Sequence, residues 1–145
     1  MLDEISFRNA TAQDDKTIKQ MIRRARLDIT SLKWQNFRVA EHDGHIVGIG
    51  QVKRYPNANE IGSLVTLHEY RGLGIAGTLI HQLEKQVGFP LYLLCEAKME
   101  AYYKRFGYQI ISWFDAPTAL KLKTSFAIPL RIFGIRVLIM RKLGD

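Results

Sequence analysis

Apolar and polar positions alternate along Ile5-Ser6-Phe7-Arg8, as in a half-buried strand, and the period then lengthens. Thr11 followed by Asp14 makes a capping-box-like start to a helix whose apolar stripe is Ile18, Met21, Ile22 and Ala25. Phe37–Glu41 and Ile46–Val52 read as two strands around Asp43-Gly44, a hairpin turn signal, and Tyr55–Asn59 breaks the chain again. Glu60–Leu67 predicts another strand. Ile75, Leu79, Leu83 and Val87 recur at i, i+4 as one face of a helix, which Gly88-Phe89-Pro90 ends. Leu91–Cys95 follows as a strand, Met99, Tyr102, Tyr103 and Phe106 form the stripe of a short helix, and Tyr108–Phe114 and Ile135–Met140 predict two last strands. Between these, Ala116–Phe133 mixes Lys121, Lys123 and Arg131 with Leu120, Leu122, Phe126, Ile128, Leu130 and Phe133, interrupted by Pro129.

The order β-α-(α)-βββ-α-β-α-β-β predicts an α/β (α+β) fold with a mixed sheet. The 145 residues, with 47% hydrophobic and 24% charged content, suit a single domain over 1–145 as monomer or homodimer; no repeat or linker divides them. A formal net charge of +7 suits a polyanionic ligand, and equally nucleic acid or an anionic membrane surface. Cys95 is the lone cysteine, so no internal disulfide is required; its setting reads as a buried strand end and an inert thiol. The acidic start Met1-Leu2-Asp3-Glu4 lacks a signal peptide's features and no apolar run reaches about 18 residues, so the cytoplasm is the expected address. His42, His45, His68 and His81 are not spaced as metal ligands, and no metal is expected.

The chemistry concentrates where a strand, a glycine-rich turn and a helix start succeed one another, Thr66 to Gly77. Glycines allow a tight turn and close approach to a ligand, and the unpaired amides of a first helical turn attract a phosphate. Gly72-Leu73-Gly74-Ile75-Ala76-Gly77 satisfies G-x-G-x-x-G, with Glu96 roughly 20 residues on, as a dinucleotide site would ask. Against that reading, His68, Glu69, Tyr70 and Arg71 separate the strand from the glycines, and much of the chain precedes them. Arg71-x-x-Gly74-x-Ala76 instead resembles the (Q/R)-x-x-G-x-(G/A) signature of the GNAT superfamily of N-acetyltransferases. Ala101-Tyr102-Tyr103-Lys104-Arg105-Phe106-Gly107-Tyr108 is similar to that family's second signature, aromatic-Tyr-x-x-x-Gly-aromatic. The resemblance covers roughly residues 5 to 114.

That resemblance implies a GNAT-type mixed, largely antiparallel sheet flanked by helices and splayed between Glu60–Leu67 and Leu91–Cys95, at the acetyl-CoA site. It implies an acetyl-CoA-dependent N-acetyltransferase, an acyltransferase of groups other than aminoacyl, acting on a primary amine by direct attack in a ternary complex. The amides of Gly72, Leu73, Gly74, Ile75, Ala76 and Gly77 would hold the pyrophosphate beside Arg71, and the backbone of Leu64, Val65 and Thr66 would pair with the pantetheine arm. Tyr103 takes the place of the general acid, with core packing as its plain alternative. Glu60 is the first choice of general base, with a solvated strand-start carboxylate as the alternative and Glu96 and His68 in reserve. A glutamate at Glu96 departs from the Asn or Ser common there and points to a cationic acceptor. Trp34, Asn36 and Phe37 are candidate acceptor-pocket residues, unless Trp34 and Phe37 belong to the core.

Two rivals come from other classes: a catalytically silent acyl-CoA-binding or membrane-docking module, and a small NAD(P)-dependent oxidoreductase. The 116–133 segment is read as an insertion packed on the last hairpin, with a lid or a membrane-surface contact as alternatives. No groove-reading motif supports nucleic-acid binding, and none is expected.

Overall fold

The structure, a computed structural model, describes residues 2–125 and 134–145. The chain forms two units, Met1–Lys53 with Ile61–Val87, and Arg54–Glu60 with Gly88–Asp145.

In the first unit, Thr11 and Asp14 do pair: the Thr11 amide donates to Asp14 Oδ2 at 2.7 Å. They open a 3-10 turn, Ala12–Asp14, that runs into helix α1, Asp15–Arg24. Ile18, Met21 and Ile22 are buried as the stripe requires, whereas Ala25 caps the helix in solvent. Strands β1 (Ser6–Asn9) and β2 (Phe37–His42) are antiparallel, with Phe7 opposite Ala40. Strand β3 (His45–Tyr55) returns antiparallel to β2 through Asp43-Gly44. Both turn residues have positive φ, 49° and 76°, the conformation of a tight two-residue hairpin. With β4 (Ala58–Thr66), the strand order in this unit is β1-β2-β3-β4.

The β2–β3 register shifts between Ala40 and Glu41, so that Ala40 faces Gly48 and Glu41 faces Ile46. Val47 is the extra residue of this bulge. Ile46 and Ile49 therefore join Phe37, Val39 and the α1 stripe in one core cluster, while Val47 joins Ile5, Ala40, Ile75 and Leu79 in another. Ile75 and Leu79 belong to helix α2, Ile75–Val87, whose first turn lies so close to β3 that a Cβ on Gly48 would stand 2.7 Å from Ile75 Cγ2.

In the second unit, β5 (Leu91–Glu96) pairs antiparallel with β7 (Val137–Lys142), which pairs with β6 (Gln109–Ile110), in the order β5-β7-β6. Helix α3, Glu100–Lys104, precedes β6, and Gly107 at φ 92° turns the chain between them. The strand expected over Tyr108–Phe114 is shorter. Ile111 adds one bond to Ile139, then the Ser112 hydroxyl accepts the Phe114 amide at 3.3 Å and bends the chain into a 3-10 turn, Trp113–Asp115. Pro117 then starts helix α4, Thr118–Ser125. Leu120 of α4 is fully buried with Tyr92, Ala116 and Ile139, against Tyr55, Ala58, Leu94 and Ile111. The segment read as a packed insertion is thus packed as far as Ser125; the part of that reading on residues 126–133 lies outside the described residues. Mixed helices and largely antiparallel strands make this an α/β fold, as expected.

Candidate active site

The glycine loop grows out of β4. Leu64 packs with the α2-side cluster and Val65 with the α1-side cluster, alternating as strand residues must. Leu67 continues the strand by donating to Val47 O at 2.9 Å, and His68–Tyr70 then turns as a 3-10 helix. Arg71 is exposed, and its Nε reaches Thr66 O at 3.4 Å. Gly72 and Gly74 have φ of 79° and 83°, and a Cβ on either would meet nothing within 4 Å. These glycines are therefore required by the backbone's handedness, and the face they present is open. Thr78 donates through its amide to Gly74 O at 3.0 Å and through its hydroxyl at 2.9 Å, fixing the helix start. The first-turn amides of the 13-residue α2 are then free to face an anion, which fits a pyrophosphate.

Tyr70 and His42 are residues of this region that the sequence did not reveal. The Tyr70 hydroxyl and His42 Nδ1 stand 2.8 Å apart with the rings edge to face, and Tyr70 packs beside Leu73 in the α2-side cluster. They tie the residue before Arg71 to the end of β2. An aromatic beside the motif was the available signal, but its partner is 28 residues away.

In the second unit, Tyr103 is half-buried on α3, edge to face with Tyr102 at 5.1 Å. Burial, with Cys95 and Tyr102 nearby, pushes its phenol up to about 12. It is a proton donor throughout the neutral range. Cys95, next to last in β5, has its Sγ 3.7 Å from Met140 Sδ, and burial, with Glu100 and Glu96, raises its thiol to about 11. It is the inert core thiol expected. Glu96 lies half-exposed, 3.1 Å from Lys98, and His68 of the first unit is exposed.

Glu60 is not the solvated carboxylate of the alternative reading: only 3% of it is exposed. Tyr55 Oη donates to its Oε1 at 2.9 Å, and Lys123 Nζ donates to Oε1 and Oε2 at 3.1 and 3.2 Å. Burial and the Glu60 charge push the Tyr55 phenol up to about 12, so it stays a donor. Lys123 was hidden because Leu120 and Lys123, three apart, share the inward face of α4, while Leu122 is 62% exposed. Trp34 forms a 3-10 turn and packs against the α1-side core, where Phe37 is buried at 2% exposure. Phe37 is thus a core residue rather than a pocket wall.

Among known families, the acetyltransferase (GNAT) domain matches residues 33–110, more than half of the chain. No curated protein matches it. Solved structures do: N-acetylglutamate synthase from Neisseria gonorrhoeae, complexed with coenzyme A and N-acetyl-glutamate, has a TM-score of 0.80 at 20% identity over 97% of this chain. This chain spans only 35% of that one, about a third of its length. Rv2747 from Mycobacterium tuberculosis, in complex with CoA, has a TM-score of 0.76 at 18% identity, covering 97% of this chain and 99% of that one. An acetyltransferase of the GNAT family from Staphylococcus aureus MU50 has a TM-score of 0.73 at 16% identity, with coverage of 97% and 99%. At such identities these are likenesses of fold.

Proposed function

Since this chain belongs to the GNAT acetyltransferase family, we propose that it transfers the acetyl group of acetyl-CoA to a primary amine by direct attack in a ternary complex. The observation that carries this reading is the loop before α2, where Gly72 and Gly74 hold left-handed backbone with their faces open. There the amides of Gly72 to Gly77 bind the pyrophosphate, Arg71 adds a positive charge beside it, and the backbone of Leu64, Val65 and Thr66 pairs with the pantetheine arm.

In the transfer, the amine nitrogen bonds to the thioester carbonyl carbon and the carbon–sulfur bond breaks. The sulfur leaves as a thiolate and takes its proton from Tyr103 Oη. The proton shed by the attacking amine passes through water to the Glu60 carboxylate. Tyr103 suits its part because burial keeps the phenol protonated well above neutral pH. Glu60 suits its part as a buried carboxylate held by donors. The complex of the Neisseria enzyme with N-acetyl-glutamate makes L-glutamate the first acceptor to try, with spermidine as the cationic alternative.

The test begins with melting temperature. Saturating acetyl-CoA at about a hundredfold its Kd adds roughly 2.7 kcal/mol, a rise of several degrees, while NADH in parallel leaves the melt unchanged. A rise with NADH alone would instead support the oxidoreductase rival. Acetyl transfer in Tyr103→Phe is expected to fall at least about tenfold with acetyl-CoA affinity retained; unchanged transfer in that variant removes Tyr103 from the mechanism.

A further inference from the structure

A carboxylate buried to 3% exposure must be stabilised by its neighbours or it takes up a proton. Within the second unit, the described groups facing Glu60 come from two elements besides its own. Tyr55 at the end of β3 donates one neutral hydrogen bond, and Lys123 of α4 donates to both oxygens. Tyr55 and Leu120, from the same two elements, also belong to the apolar cluster of Tyr92, Ala116 and Ile139. Tyr55 supplies direction but no charge. Lys123 supplies both, and it is held in place by Leu120, the fully buried residue one turn earlier on the same helix.

We propose that Lys123 is the positioning residue of the general base: from α4 it keeps the buried Glu60 carboxylate ionised and turned to accept a proton. The inference rests on the reading of Glu60 as base, and it gives the 116–125 part of the insertion a task in the chemistry. Both Glu60 oxygens lie within 3.2 Å of one ammonium, so one cation fixes the rotation of the carboxylate as well as its charge. Removing a paired cation from a buried carboxylate disfavours its charged form. Arg at 123 keeps the charge and a two-pronged grip; Met keeps the stem and loses the charge.

The direct test is a carbon-13 NMR titration of carboxyl-labelled glutamates, with the Glu60 signal identified by its loss in Glu60→Gln. Should Lys123→Met not fold, Lys123→Gln takes its place in the same titration. In Lys123→Met, with its circular dichroism and acetyl-CoA affinity retained, the titration midpoint moves up by about one pH unit or more, and Lys123→Arg brings it back. The acidic limb of the rate–pH profile for acetylation of L-glutamate moves with it. A midpoint that stays put in folded Lys123→Met overturns the proposal. Because the NMR titration needs no turnover, a failure of the base reading is seen separately: Glu60→Gln acetylating as fast as wild type would leave the pair a structural bond and withdraw the positioning role.

Discussion

Asp14 joins a helix start to a strand. Its carboxylate accepts Arg8 Nη1 at 2.7 Å and Nη2 at 3.1 Å as well as the Thr11 amide, and Arg8 Nε in turn reaches Glu41 at 2.7 Å. The Arg8 hydrogen bonds hold this carboxyl well below its usual range. A group depressed on folding contributes stability above its unfolded pKa and loses it as pH falls through the folded value. Asp14→Ala is therefore expected to lower unfolding free energy by about 1–2 kcal/mol at neutral pH, with the deficit closing in acid below the ordinary carboxylate range. Urea melts at pH 7 and pH 2.5 check both halves. The Thr11–Asp14 pairing was legible because a capping box is a local pattern. Arg8 was not, because its two acidic partners lie 6 and 33 residues away, with nothing in the spacing to join them.

At the scale of elements, most strands with a clean period were read to within a residue or two, but β3 runs three residues past Val52 to Tyr55 and β4 begins at Ala58, so the break read over Tyr55–Asn59 narrows to a tight turn between two strands. A further miss occurred where a single side chain redirected the backbone: Ser112 ended a strand that Ile111 would otherwise have carried to Phe114. In α4 an apolar side chain faces outward and a lysine inward, which reverses the usual inference from composition. The loop before α2 was legible for the opposite reason, since glycine is the residue that adopts its positive φ freely. Gly48 makes a further demand that the sequence does not advertise: it lets Ile75 seat the first turn of α2 against β3. Gly48→Val is expected to cost about 1–3 kcal/mol and to weaken acetyl-CoA binding more than Gly44→Ala, which strains the hairpin turn through its φ of 76° but whose Cβ meets open space, away from α2. Calorimetric titration and thermal melts measure the two effects. If Gly48→Val binds acetyl-CoA as wild type does, the seating of α2 does not govern the loop.

For the whole molecule, the net charge of +7 left polyanions of several kinds open, and the family match over residues 33–110 narrows them. No described helix is long and apolar enough to cross a membrane. The Glu60–Lys123 pair was not legible, because its two side chains stand 63 residues apart in sequence. The lone thiol bears on how the proposed acetyl transfer is followed in solution. Cys95 is buried, and burial pushes its thiol up to about 11, so the reactive thiolate is a minor form at pH 8. A disulfide chromogen added to the native protein is expected to stay colourless, and to register one thiol per chain after denaturation. Colour appearing during turnover then reports the coenzyme alone, so product can be counted continuously without mutating the cysteine.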